Sequence, residues 1–175
     1  MGSKVPTFSN DGKVKVMGNR AVITTSRSSN VEKSDDIGVY LHWNGGRDSV
    51  TAFLEYCKMK EFRCPEQDHY GWARLCQIIS NYFGGDGLSI GIDTCKHIDC
   101  RNGDNGVYVI KDWDIVDRQY FNRREQDEYE LKGMLYGIDE AQPLDQQLGK
   151  EKIDEYLKQK NNTEINYEIK LELEE

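Results

Sequence analysis

The chain has 175 residues, of which 37% are hydrophobic and 31% are charged, and its formal net charge is −8. This length suits one ordinary domain, while the low hydrophobic share indicates that part of the chain is solvated extension. No apolar run approaches the roughly 20 residues that a membrane span requires, so we expect a cytosolic protein with no membrane partner.

The first third of the chain predicts an arm followed by two strands. Residues 1–19 are rich in Gly, Ser, Lys and Asn without periodicity, which is typical of a flexible N-terminal arm. Strands are expected at 20–25 and 37–43, where hydrophobic residues are concentrated. The serine-rich segment 26–36 between them is expected to be a polar linker.

Two amphipathic helices should follow these strands. The first has apolar residues at the i, i+3, i+4, i+7 spacing of a helical stripe, with Asp48 or Ser49 as its N-cap. The stripe consists of Val50, Phe53, Leu54 and Cys57. The second helix is expected over residues 70–83 and should end at Gly84, because glycine readily adopts the left-handed conformation of a C-cap.

The remainder predicts strands first and helices afterwards. The expected strands are 88–92 and 107–110, with 115–116 continuing the pairing, and the expected helices are 125–138 and 144–160. The fold class is therefore α+β, a mixed sheet of about five strands with helices packed on one face. The arm precedes a core domain at 20–140, and 141–175 forms an acidic helix and edge-strand extension.

The C-terminal extension carries two signals. Residues 164–175 alternate apolar and mostly charged residues, which predicts a half-buried strand at a sheet edge. Residues 125–175 hold 15 Asp and Glu against 6 Lys and Arg, a net charge of −9. Such a block favours basic partner surfaces, for example a nucleic-acid-binding channel, although a solvated helical face gives the same composition.

A phosphate-binding loop is predicted between the second strand and the first helix. The loop consists of Asn44, Gly45, Gly46, Arg47, Asp48 and Ser49. Glycines let the backbone approach a ligand, the helix N-terminus favours an anion, and Arg47 adds a fork suited to phosphate oxygens. Asp48 opposes a bare anion unless it caps the helix or binds a bridging Mg²⁺ ion. Alternatively, the glycines form only a tight turn that Asp48 caps.

Four polar residues are candidates for a catalytic role. His42 shares a strand face with Asn44 and could reach a ligand in the loop together with Asp48. Asp93 and His97 follow the third strand, and a histidine with carboxylates at strand ends could support general acid–base chemistry. Loops collect such residues anyway, so the catalytic residues stay unknown.

The remaining candidates are aromatic residues and thiols. Trp43 and Trp113 stand next to predicted turns and are expected to contact a partner. Cys95, His97 and Cys100 lie close together but lack a partnering C-x-x-C pair, so no metal site is expected.

The loop resembles the S-G-G-x-D-S loop of the PP-loop ATP pyrophosphatases. Gly45, Gly46, Asp48 and Ser49 match that motif, and Asn44 stands in place of its first serine. The resemblance covers about 20 residues and implies a strand-to-helix loop that holds the pyrophosphate of ATP. The doubly wound parallel sheet and further nucleotide motifs of that family have no counterpart in this sequence.

A longer resemblance covers residues 18 to 140. Its motifs are G-V-Y-L-H-W-N-G-G-R-D-S at 38–49, Y-G-W-A-R-L at 70–75, F-G-G at 83–85 and D-N-G-V-Y at 104–108. They are similar to those of a small, mostly uncharacterised protein family of phages and conjugative elements of Gram-positive bacteria. Cargo of this kind implies counter-defence in the cytoplasm of the bacterial host.

Counter-defence proteins block CRISPR nucleases, restriction enzymes or nucleotide-signalling immunity. Among these roles, an anti-CRISPR inhibitor acting on a Cas9-type nuclease or its guide RNA fits the acidic block, so the partner is expected to be a host defence protein or that RNA. The acidic block would then occupy a basic channel. The alternative is a protein that binds phosphate or a nucleotide ligand through the loop, either a PP-loop-like enzyme or a cyclic-nucleotide sponge. Whether the chain is an enzyme stays open.

Overall fold

The computed structural model describes residues 18–85, 89–122, 125 and 129–173, with side chains described as far as residue 163. The predicted arm at 1–19 lies outside the described residues except for Gly18 and Asn19.

Five strands form one mixed sheet. They are β1 Ala21–Thr24, β2 Ile37–Leu41, β3 Ile90–Thr94, β4 Val107–Lys111 and β5 Asp114–Gln119. Their order is β3-β2-β1-β4-β5, with β1 and β4 parallel and every other neighbouring pair antiparallel. The prediction of an α+β fold with a mixed five-stranded sheet is confirmed.

The described helices pack on one face of this sheet. They are α1 Arg47–Met59, α2 Tyr70–Phe83, α3 Leu131–Glu140 and α4 Lys150–Leu173. Alternate strand residues such as Ile23, Leu41 and Tyr108 enter a core shared with these helices. Two short 3₁₀ helices, Val31–Lys33 and Leu144–Gln146, lie in connections.

The opposite face of the sheet is covered by loops. A smaller cluster there consists of Val22, Val31, Cys95, Cys100, Val107 and Val109. The segment predicted as a polar linker, 26–36, supplies Val31 to this cluster, and its Ser26 is only 1% exposed. Serine hydroxyls fold the segment on itself, since Ser26 Oγ lies 3.0 Å from Ser34 Oγ. The linker is therefore packed structure.

The turn between β4 and β5 corrects one site prediction. Asp112 and Trp113 have φ values of 51° and 66°, and a type I′ hairpin turn requires positive φ at both central residues. Trp113 is 4% exposed, and its indole N–H donates to the Phe62 carbonyl at 2.7 Å. The prediction that Trp113 contacts a partner is wrong, because the turn directs the indole into the core.

The N-terminus of α1 also differs from its prediction. The N-cap is Gly46, whose carbonyl accepts the Val50 N–H at 3.0 Å, and Asp48 and Ser49 lie inside the first turn. Helix α2 begins and ends at the predicted residues, 70 and 83. The helix predicted from residue 125 begins at Leu131 among the described residues.

The predicted edge strand at 164–175 is wrong, because α4 continues through this segment to Leu173. Neither Gly nor Pro interrupts residues 150–173, and Glu, Lys and Leu all favour helices. Adding residues to a helix that already exists needs no new helix nucleation, so the segment continues α4 despite its short alternating pattern.

Helix α4 begins at a buried carboxylate. Asp139, 4% exposed, accepts the N–H groups of Leu148 at 2.7 Å and Gly149 at 3.0 Å, directly before the helix. It also accepts the Tyr56 hydroxyl of α1 at 2.6 Å. Burial, together with this hydrogen bond, raises the pKa of Tyr56 well above its usual range. One side chain thus joins α1, α3 and the start of α4.

A second buried carboxylate fixes α4 roughly two to three turns further on. Glu55 of α1 is 3% exposed and accepts Lys160 Nζ at 2.5 Å and the Tyr156 hydroxyl. Burial raises the pKa of Tyr156, and the bond to Glu55 raises it further. The described part of α4 is therefore attached to the core by polar contacts as well as by the buried Ile153.

Two thiols on the core side of α1 and α2 predict alkaline destabilisation. Burial raises the pKa of Cys76 from 9.0 to about 11 and raises that of Cys57 still further. Above pH 9 the unfolded chain loses these protons while the folded chain keeps them, so stability should fall between pH 9 and 11. The urea midpoint measured from pH 7 to 11 tests this. Cys76→Ala should reduce the decline, and an unchanged midpoint would refute the prediction.

Candidate functional site

The base of the predicted phosphate loop is held by close backbone packing. Gly45 donates its N–H to the Asn19 carbonyl at 2.6 Å, and its carbonyl accepts the Tyr108 hydroxyl at 3.0 Å. A Cβ at Gly45 would lie 2.5 Å from that Asn19 oxygen and 2.7 Å from the Ala21 nitrogen. Real Cβ atoms do not approach backbone this closely, so only glycine fits against the start of β1 here.

The N-terminus of α1 already has a carboxylate beside it. Asp48 Oδ1 accepts the Ser49 N–H at 2.7 Å, and Oδ2 accepts the Tyr129 N–H at 2.8 Å. A carboxylate in the first turn is stabilised by the helix dipole, and here it also attaches the segment that leads to α3. A phosphate at the same position would meet this negative charge. Binding of an anion by residues 44–49 stays a prediction. The Asp48 carboxylate would compete with that anion for the N-terminus of α1.

The side of the loop that faces solvent is aromatic and basic. His42, Trp43 and Arg47 are exposed, with the His42 and Trp43 rings in edge contact at 4.8 Å between centroids. Tyr129, held by Asp48, exposes 44% of its surface. We call these four residues the loop surface.

Asn44 sits beneath the loop surface in a left-handed conformation. Its φ is 53°, a value that asparagine tolerates better than most residues, and its amide donates to Ser49 Oγ at 3.3 Å. Ser49 itself is fully buried. Two of the six predicted phosphate-binding residues therefore contact each other within the loop.

Arg118 of β5 stacks on Tyr108, the residue whose hydroxyl binds the loop at Gly45. Its guanidinium lies 4.3 Å from the Tyr108 ring centroid and 3.5 Å from that of Phe121, and it donates to the Asn105 carbonyl at 3.0 Å. It also pairs with Glu125. Burial lowers the pKa of Arg118 below its usual range. Tyr108 connects this stacked cation directly to Gly45.

The four candidate catalytic residues do not form one site. Asp93 pairs with Gly38 near the start of β2, whereas His42 follows the opposite end of that strand. Four residues of strand separate these ends by roughly 13 Å. Asp93 Oδ1 lies 3.6 Å from His97 Nδ1 in an exposed pair, and the Thr94 N–H lowers the pKa of Asp93. His42 and Asp48 are thus divided from Asp93 and His97.

The chain matches no family model, no curated protein and no solved structure. The two family resemblances therefore stay predictions. In the part of the chain that the structure describes, no three His, Cys, Asp or Glu side chains converge as a metal site requires. Within the same residues, no helix has the length and apolar character needed to cross a membrane.

Sequence patterns did not identify Arg118 or Tyr129 as parts of the site. Tyr129 lies in an acidic segment and reaches the loop only through Asp48. The D-N-G-V-Y motif pointed to Arg118 only indirectly. Two of its residues contact Arg118: Asn105 accepts hydrogen bonds from the guanidinium, and the Tyr108 ring stacks against it. Tyr108 of this motif and Gly45 of the loop are 63 residues apart in sequence and are joined by a hydrogen bond.

Proposed function

We propose that the chain is a counter-defence protein of a phage or conjugative element that acts in the cytoplasm of the bacterial host. It binds a Cas9-type nuclease loaded with its guide RNA and inhibits it. The observation that carries the proposal is the loop surface, where Trp43, Tyr129 and Arg47 are exposed on a backbone fixed by Gly45.

Aromatic rings and arginine are the side chains best suited to such contact. Exposed indole and phenol rings stack on bases or fill pockets of a partner protein, and arginine binds phosphate or stacks on either. Because Gly45 and Asp48 fix the loop before binding, little conformational entropy is lost when a partner docks.

The acidic C-terminal block supports the proposal less than its composition indicates. Several of its carboxylates are neutralised inside the chain, in the pairs Glu125–Arg118, Asp154–Lys132 and Glu140–Lys150. Asp139 is buried at the start of α4. The net charge of −9 already counts Lys132 and Lys150, so the reduction comes from Arg118 and the buried Asp139 and is small. The loop surface carries the proposal.

Substitutions in the loop surface test this function. Trp43→Ala and Arg47→Ala should each weaken binding to a guide-loaded Cas9 by about tenfold, the effect of losing a central contact. Biolayer interferometry measures the affinity after a pull-down has identified a bound Cas9. Tyr70→Ala and Arg63→Ala are matched controls, because both side chains are exposed elsewhere, 59% and 72% respectively, and should leave affinity unchanged.

The proposal fails if the wild-type chain associates with no Cas9 ribonucleoprotein and protects neither phage nor plasmid from interference. Loss of binding in the control variants would equally remove the loop surface as the contact.

Nucleotide binding by the same loop is the second candidate. It is favoured by Arg47, exposed at the first position of α1, where the helix dipole adds to its positive charge. Thermal shift with ATP and cyclic nucleotides, with and without Mg²⁺, should then show stabilisation that Arg47→Ala abolishes. No shift with any of these nucleotides would remove the candidate.

A further inference from the structure

The two edges of the sheet differ in how well they are protected. Strand β5 carries Asp114, Asp117 and Arg118, and a bulge distorts its pairing at Val109 and Ile110. Charges and bulges are the usual means by which an edge strand avoids another chain. Strand β3 has one charged residue, Asp93, and exposes Ile92 by 57%.

The register identifies the backbone groups that β3 directs outward. His42 N–H donates to the Ser89 carbonyl at 2.9 Å, and Cys95 N–H donates to the Asp36 carbonyl at 2.8 Å. Hydrogen-bonded and non-hydrogen-bonded pairs alternate in an antiparallel ladder, so Gly91 and Asp93 also bond to β2. The N–H and C=O groups of the intervening residues, 90, 92 and 94, therefore point to the open edge.

The outward backbone groups of one of these three residues, Thr94, already have hydrogen-bond partners within the chain. Thr94 donates its N–H to Asp93 Oδ1 at 2.6 Å, and its carbonyl accepts the N–H groups of His97 and Ile98 at 2.9 and 3.2 Å. Among the residues that the structure describes, the groups directed outward by Ile90 and Ile92 have no hydrogen-bond partner and remain as the template for a further strand.

We propose that β3 pairs antiparallel with β3 of a second copy of this chain, with the two-fold axis between the two Gly91 residues. Ile90 of each copy then lies opposite Ile92 of the other, and their outward groups form four interchain hydrogen bonds. The result is a dimer with one continuous ten-stranded sheet.

Side-chain complementarity identifies a second copy as the occupant. The exposed Ile92 packs against Ile90 of the other copy on the helix-bearing face, where both residues lie. Asp93 meets Ser89 of the other copy, so no like charges are opposed. The Gly91 residues form the close, non-hydrogen-bonded pair at the axis, with about 4.5 Å between their Cα atoms.

Sedimentation equilibrium over micromolar to millimolar concentrations tests the dimer. The wild-type chain should dimerise, and Ile92→Lys should raise the dissociation constant by at least about tenfold. The matched control is Val116→Lys on β5, since Val116 is 48% exposed and should leave the dimer intact. A wild-type monomer at every concentration, a dimer insensitive to Ile92→Lys or a dimer lost in Val116→Lys would overturn the proposal.

Cross-linking tests the register separately. A Cβ at Gly91 meets only ordinary contact, with Tyr40 Cβ at 3.9 Å, so Gly91→Cys should fold. Its Cα separation across the axis suits a disulfide, and mild oxidation by oxidised glutathione should give a covalent dimer. Asp93→Cys, which faces Ser89 of the other copy, should not cross-link, and neither should the wild-type chain. Cross-linking through residue 93 but not residue 91 would overturn this register.

Discussion

Replacing Asp139 with alanine is expected to lower the free energy of unfolding by about 3 kcal/mol, one of the two largest effects predicted for this chain. The substitution removes the acceptor of three donors, the buried Tyr56 hydroxyl and the half-buried N–H groups of Leu148 and Gly149. The Tyr56 hydroxyl would be left without this partner in the core, and the start of α4 would lose the side chain that fixes it. Urea denaturation followed by circular dichroism measures the loss.

Two further variants give this prediction its controls. Asp139→Asn keeps the side-chain shape and one acceptor oxygen, but its amide NH₂ group would point at one of the N–H groups that the carboxylate accepted. The loss in the free energy of unfolding should therefore be roughly half that of Asp139→Ala. Asp145→Ala removes an exposed carboxylate from the same connection and should change stability by less than about 0.5 kcal/mol. Equal stability of Asp139→Ala and Asp145→Ala would contradict the role assigned to Asp139.

Gly45→Ala should destabilise the fold by about 3 kcal/mol, because the added methyl overlaps backbone that cannot move independently. The Asn19 oxygen, the Arg20 carbon and the Ala21 nitrogen all lie within 2.7 Å of the new Cβ. To relieve the overlap, α1 must shift away from β1, and the Tyr108 hydrogen bond to Gly45 breaks. Chemical denaturation measures this effect as well.

A second glycine-to-alanine change separates steric overlap from the general effect of glycine on backbone entropy. Gly133 lies in α3 with nothing within 4 Å of a Cβ, and alanine is the better helix former there. Gly133→Ala should therefore stabilise the protein by roughly 0.5 to 1 kcal/mol. If Gly45→Ala proved equally harmless, close packing would not explain the glycine pair, and the ligand-binding interpretation of the loop would gain support.

The helices and inner strands could be predicted because their signals are local. The stripe beginning at Val50 gave α1 its period, and α2 has both a stripe and a glycine stop. The prediction for the tail at 164–175 failed because alternation over a few residues does not exclude a helix, and its described part, up to Leu173, is helical and pairs with no edge of the sheet. The local sequence pattern does not decide whether such a segment extends a helix or forms a new strand.

The site was less predictable, because its contacts join distant parts of the chain. Six consecutive residues, 44–49, drew attention to the loop, but the partners that fix it are Asn19, Tyr108 and Tyr129. Trp113 was misassigned because an aromatic residue in a turn can face either side, and two positive φ angles decide which. Such information lies in tertiary geometry.

The central position of β1 has a consequence for synthesis of the chain. All four of its residues are fully buried, yet one of its neighbours is β4, where Val22 pairs with Val107. At roughly 5 to 20 residues per second, that neighbour leaves the ribosome about 4 to 17 seconds after β1. Contacts of such high contact order form late. During this interval one edge of an apolar strand has not yet met its partner, and we expect the nascent chain to be prone to aggregation until β4 arrives.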